Sequence, residues 1–311
     1  MGRDNIGIDE AKVKDYLHFD EGEDVMAPKE VILPSYTNSN LPGNAKNGSM
    51  AYDSTNTCIS VRLNGIWKCM NDRGNRYSTS FDGNNEYANI DDVYTALAST
   101  TTGTWECWFK PVDLGSGPSV GRIFNFGKTA AGADLIFLEY TNGGLLRAGA
   151  TKSSSTKWFT FLDSAALSEG TWTHVMLVQN GVAPVIYING VAVDQQTTVT
   201  TDTTLWFSGI TVLDNGRIAN GNFSGLGETK FGKGNIDNVG FYNTNLSAAE
   251  ALESYNSGKA LDLTTHSKTA NLVSYFTMGD NDSHPTLTDN KGSNDGTLVN
   301  SEAADFQLDI P

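Results

Sequence analysis

Between residues 76 and 245, apolar and polar positions alternate with a period of two, in short runs separated by Gly, Asn, Asp and Ser. Such alternation puts every second side chain on one face of a strand. Segment 104–110 shows it plainly: Trp105, Cys107 and Phe109 fall on one face, Glu106, Trp108 and Lys110 on the other. Further strands are predicted at 77–81, 122–126, 134–140, 145–150, 158–162, 172–179, 185–188, 191–194, 227–232 and 235–242. Asn180-Gly181 closes one of them, and Asn189-Gly190 carries the type I′ signal that joins two as a hairpin. This succession predicts an all-β protein built as a two-sheet antiparallel jelly-roll sandwich. One short helix is predicted. Ser247 and Glu250 form a capping box with Leu246 in the staple position, so the helix runs to about Asn256 and stops near Gly258.

The pattern changes before residue 76. Residues 1–45 are polar and aperiodic, hold the acidic cluster Asp20, Glu21, Glu23 and Asp24, and are interrupted by Pro28, Pro34 and Pro42. They read as an extended arm that orders on a partner, with a disordered leader as the equal alternative. Residues 46–71 read as a three-stranded β-meander. Its second and third strands join at Asn64-Gly65, which places Ser60 opposite Cys69 and Cys58 opposite Asn71. So small a sheet buries too little to stand alone and is expected to pack on another chain or on the following domain, with Tyr52 and Trp67 as anchoring residues. Residues 72–75 read as a linker into a domain covering 76–311.

Composition narrows the partners. Lys and Arg total 21 against 36 Asp and Glu, a formal charge of −15, and no basic tract exists, which argues against nucleic acid. No apolar run reaches the roughly 18 residues of a membrane span, so membrane insertion is not expected. The first residues lack a basic start and an apolar stretch, which predicts folding in a cytoplasm. The odd, low count of cysteines (Cys58, Cys69 and Cys107) predicts buried free thiols, Cys58 and Cys69 being diagonal and not direct neighbours.

Several segments in order carry a family resemblance: Ser80-Phe81-Asp82-Gly83, then 105–111, Gly170-Thr171-Trp172-Thr173-His174-Val175, 185–190, and Ile236-Asp237-Asn238-Val239-Gly240-Phe241-Tyr242 leading into Leu246, Ser247 and Glu250. Over about 76–262 the chain resembles a laminin-G-like domain of the concanavalin A-like lectin and glucanase superfamily. The tail, 263–311, contains 272–276, Asp289-Asn290-Lys291-Gly292 and 294–299, which resemble the segment that normally precedes the first strand of that family. The expectation is a circularly permuted closure, with the tail adding strands to the sandwich. The 46–71 unit resembles short modules of bacteriophage tail and fibre proteins through Gly48, Met50, Tyr52, Asp53, Asn64, Gly65 and Trp67. Together these resemblances imply a phage virion protein on a tail fibre or the capsid surface, made in the host cytoplasm. Its implied partners are other virion proteins, copies of itself (trimers are common among such fibres) and a host-surface glycan. A secreted adhesin or carbohydrate-binding module is the alternative, and a glycoside hydrolase a further one.

Candidate chemistry follows. The resemblance implies Ca²⁺ held by Asp82 and Asp237 near adjacent strand ends, against the plainer reading that both cap turns. Trp206, Phe207 and Trp158 are the candidate glycan-stacking residues, while Trp105, Trp108 and Trp172 are expected in the core. Glu106 and Glu139 are isolated on their strands, without the paired acids a glycosidase needs, so no catalytic residue is expected. His174 reads as a structural histidine, His266 and His284 as loop residues, and no Cys or His spacing suggests zinc.

Overall fold

The computed structural model describes residues 34–37, 40–53, 58–63, 65–69, 76–115 and 120–311, with the side chains of 53, 58, 59, 63 and 66–69 outside the description. The acidic cluster at 20–24, most of the predicted arm, the 72–75 linker, and the side chains of Cys58, Cys69 and Trp67 therefore lie outside the described residues. The chain divides into two compact units, Met1–Gly74 and Asn75–Pro311.

The first unit is a four-stranded sheet of β1 (Ser35–Tyr36), β2 (Met50–Asp53), β3 (Cys58–Leu63) and β4 (Ile66–Cys69) in sequence order. β3 and β4 pair with Ser60 opposite Cys69, the register an Asn64-Gly65 turn dictates. β1 adds parallel to β2, a strand not foreseen within the arm. Tyr52 and Met50 lie on β2 two residues apart, and both are exposed.

The second unit contains β5 (Ser78–Asp82), β6 (Tyr87–Asn89), α1 (Asp91–Leu97), β7 (Gly103–Pro111), β8 (Val120–Gly127), β9 (Leu135–Thr141), β10 (Leu146–Lys152), β11 (Ser155–Leu162), β12 (Thr173–Gln179), β13 (Pro184–Ile188), β14 (Val191–Ala192), β15 (Gln195–Thr200), β16 (Asn215–Ile218), β17 (Gly221–Asn222), β18 (Glu228–Thr229), β19 (Lys233–Tyr242), α2 (Ala248–Tyr255), β20 (Leu272–Phe276), β21 (Thr286–Leu287), β22 (Gly296–Val299) and β23 (Phe306–Gln307). One sheet has nine strands in the order β15-β11-β10-β9-β8-β16-β6-β22-β21. The other has eight: β14-β13-β12-β7-β19-β5-β23, with β20 also on β19. The sheets close on each other as an antiparallel sandwich. The tail contributes to both, since β22 pairs β6, β23 pairs β5 and β20 pairs β19.

The core lies between the sheets. Trp105 from β7 is fully buried, with the rings of Phe124, Phe126, Trp206, Phe207 and Phe241 centred 4.9–6.5 Å away. Burying each such ring contributes about 1.5–3 kcal/mol, so this cluster is a main source of stability. It also overturns the glycan-stacking assignment. Trp158, Trp206 and Phe207 are 0%, 1% and 0% exposed, and Trp158 donates its indole N–H to the Leu205 carbonyl at 2.9 Å. A sugar in solution cannot reach their faces. Trp172, expected in the core, is half-buried and donates to Asp309, while Trp108 is buried on the opposite face of its sheet, against His174 and Tyr255.

The helix α2 ends as its residues predict. Ser247 Oγ accepts from the Glu250 amide, the Glu250 carboxylate accepts from the Ser247 amide, and Asn256 takes the left-handed conformation that stops the helix (φ 48°). α1 was not foreseen, because it is short and has no side-chain cap at Ile90. Among the described residues no helix is long and apolar enough to cross a membrane.

Candidate ligand-binding face

Strand parity decides which side chains leave the core. On β11, Trp158, Thr160 and Leu162 point inward, so Phe159 and Phe161 point out, where both are half-buried. Register carries this outer face across the sheet. Arg122 on β8 lies opposite Glu139 on β9, Glu139 opposite Arg147 on β10, and Arg147 opposite Phe161. The adjacent row runs Asn125, Phe137, Gly149, Phe159. One row is therefore charged and the next aromatic.

Gly149 is required where it stands. A Cβ there would sit 2.7 Å from the Phe137 ring and 3.2 Å from Phe159, so only glycine lets these rings close over β10 from both sides. Phe137 and Phe159 are centred 6.3 Å apart, Phe159 and Phe161 6.2 Å apart. The segment 219–232 covers the β8–β9 half of the face, with Phe223 packed on Leu135 and Phe137. On the half formed by β10 and β11, Arg147, Phe159 and Phe161 stay partly exposed.

Glu139 is the centre of the charged row. Its carboxylate lies 2.9 Å from Arg122 Nη1, 2.6 Å from Arg147 Nη2 and 3.9 Å from Lys230 Nζ. Arg122 is sealed beneath the surface, with its guanidinium 3.7 Å from the Phe137 centroid and 5.4 Å from that of Phe223. Burial lowers its pKa to about 10, and the Glu139 charge opposes that fall. Burial also lowers Lys230, again against Glu139. Lys230 reaches the cluster because its carbonyl accepts from the Arg122 amide at 2.9 Å and its backbone turns left-handed there (φ 53°). Arg147 stays partly exposed and stands 5.9 Å from the Phe159 centroid.

A second polar cluster lies on the outer face of the other sheet, sealed under α2. Glu106 meets His174 Nε2 at 2.9 Å, and the Tyr275 hydroxyl donates to Asn238 at 2.5 Å. Burial pushes the Tyr242 and Tyr275 phenols far up, and the Cys107 thiol on the core side well up. His174 is structural, as its position predicts. His266 lies in a loop, as expected, and is buried there, with its ring 3.1 Å from the Glu250 carbonyl.

The calcium pair does not form. Asp82 lies opposite Lys233, whereas Asp237 is about 13 Å further along β19 and fully buried opposite Trp108. Asp82 instead accepts from the amides of Asn84 and Asn85 and from the Asn84 side chain, which caps its turn. Among the described residues no three His, Cys, Asp or Glu converge as a metal requires.

A family model described as the concanavalin A-like lectin/glucanases superfamily matches residues 82–251. No curated protein matches. Among solved structures, a candidate carbohydrate binding protein from Bacteroides ovatus aligns over 72% of this chain and 58% of its own, at 14% identity and a TM-score of 0.50. The Streptococcus pneumoniae NanB sialidase aligns at 19% identity and a TM-score of 0.48, over 57% of this chain but only 27% of the sialidase, so the chain spans about a quarter of that enzyme. The CBM40 of the Ruminococcus gnavus IT-sialidase aligns at 16% identity and a TM-score of 0.48, covering 57% of this chain and 96% of its own.

Proposed function

Because the chain belongs to the concanavalin A-like lectin/glucanase superfamily, we propose that its sandwich is a non-catalytic carbohydrate-binding domain whose ligand lies across β10 and β11. The observation that carries this reading is the half-buried Phe159–Phe161 pair beside a partly exposed Arg147. Sugar rings offer apolar C–H faces with polar rims, and aromatic rings flanked by fixed polar groups complement both. Hydrolysis is disfavoured, because both oxygens of Glu139 are engaged by guanidinium groups and no second carboxylate is in register beside it. Phe159→Ala should lower saccharide affinity at least about tenfold, with the melting transition little changed, since the ring is half-exposed. Affinity electrophoresis in polysaccharide gels measures this. Unchanged mobility of the variant in every gel that retards the parent would reject the platform.

A second reading concerns the first unit. The exposed Met50 and Tyr52 on β2, in a sheet too small to bury much surface, favour attachment of this unit to other chains, as in a virion particle or in a homo-oligomer. Light scattering on the full chain and on one starting at Tyr77 tests this. Assembly should be lost on truncation, and a monomeric full chain counts against it.

A further inference from the structure

We propose that this face selects acidic saccharides, with Arg147 and Lys230 forming the subsite for a sugar carboxylate; the inference rests on the carbohydrate-binding reading above. The chain as a whole is strongly acidic, at −15. Yet three cations, Arg122, Arg147 and Lys230, converge on the single carboxylate of Glu139, which leaves a local charge of about +2. Such convergence is not a by-product of a basic surface.

The three cations are not equivalent. Arg122 is sealed between Phe137 and Phe223 and balances Glu139 from below. Arg147 spends only Nη2 on Glu139, and its side chain is 25% exposed. Lys230 is 34% exposed and approaches Glu139 no closer than 3.9 Å. One carboxylate thus serves three cations, and the two outer ones lack a full counter-charge.

Geometry joins this subsite to the platform. Arg147 pairs in register with Phe161 and its guanidinium stands over the Phe159 side of β10. A pyranose stacked on these rings would bring a ring carboxylate to the free edge of the Arg147 fork. Planar, two-pronged donation suits a carboxylate better than it suits a neutral hydroxyl. Glu139 and Arg122 act as positioning residues that hold Arg147 against the sheet.

The test is isothermal titration calorimetry of the full chain with matched ligands: oligogalacturonate and its methyl ester, sialyllactose and lactose, and a sulfated oligosaccharide. The acidic carboxylate member of at least one pair should bind about tenfold or more tightly than its neutral counterpart. Arg147→Gln and Lys230→Gln should each abolish that difference, and Lys230→Gln should leave the neutral affinity unchanged, with circular dichroism melts as in the parent. Should Arg147→Gln fail to fold, Lys230→Gln decides, because its side chain sits at the surface. Equal affinity within every pair, a preference for sulfate over carboxylate, or a preference that survives both substitutions overturns the inference and leaves carbohydrate binding standing. Absence of binding to every saccharide takes down both.

Discussion

Glu139→Ala should destabilise the sandwich by about 3–5 kcal/mol, read as a lower midpoint in urea denaturation at neutral pH. The loss comes from what the side chain leaves behind. Arg122 is buried between two phenylalanine rings and has no second carboxylate among the described residues. Removing one partner of a buried pair strands the other charge in a medium that solvates it poorly. A double variant, Glu139→Met with Arg122→Met, should therefore lose less than Glu139→Ala alone, since an apolar pair of similar volume carries no desolvation cost. A single variant that loses under about 1 kcal/mol would show that water reaches Arg122 and that the row is solvated.

Asp289→Ala should cost about 3 kcal/mol or more, from a different mechanism. The Asp289 carboxylate accepts from the amides of Tyr275, Lys291, Gly292 and Asn294, at 2.9 to 3.1 Å, and is itself buried. It ties β20 to the turn that leads into β22. Alanine leaves four backbone donors without that acceptor, and the Tyr275 amide lies where water cannot replace it. Hydrogen exchange should then quicken at residues 275 and 289–294 first. If exchange there matched that of the parent, the turn would be held by other bonds.

The strands, the sandwich and α2 were legible because alternation and capping are local signals. Residues 104–110 and 247–256 show their structure to anyone who reads their periods. The ligand face was not legible, for two physical reasons. β11 is apolar on both faces, Trp158 and Leu162 on one and Phe159 and Phe161 on the other, so alternation alone does not say which face is inside. The larger ring drew the assignment to Trp158, one residue from the platform. Glu139, in turn, looks isolated along the chain because Arg122, Arg147 and Lys230 reach it from other strands and from a left-handed turn. Cross-strand register, which no local pattern encodes, brings them together. The same holds for β15, whose polar residues read as a loop until the chain crosses from the edge of one sheet to the edge of the other.

The way the tail closes the sandwich has a consequence for biosynthesis. The Arg76 amide bonds to Asp280, 204 residues later, and the Asn85 carbonyl accepts from Asn300, 215 residues later. A ribosome must therefore deliver almost the whole domain before β5 and β6 receive their last neighbours. Until then two hydrogen-bonding edges near the start of the domain remain open to any extended segment in the cell. Premature termination after α2 would yield a nascent product with both edges exposed, a substrate for chaperones and proteases and not a smaller sandwich.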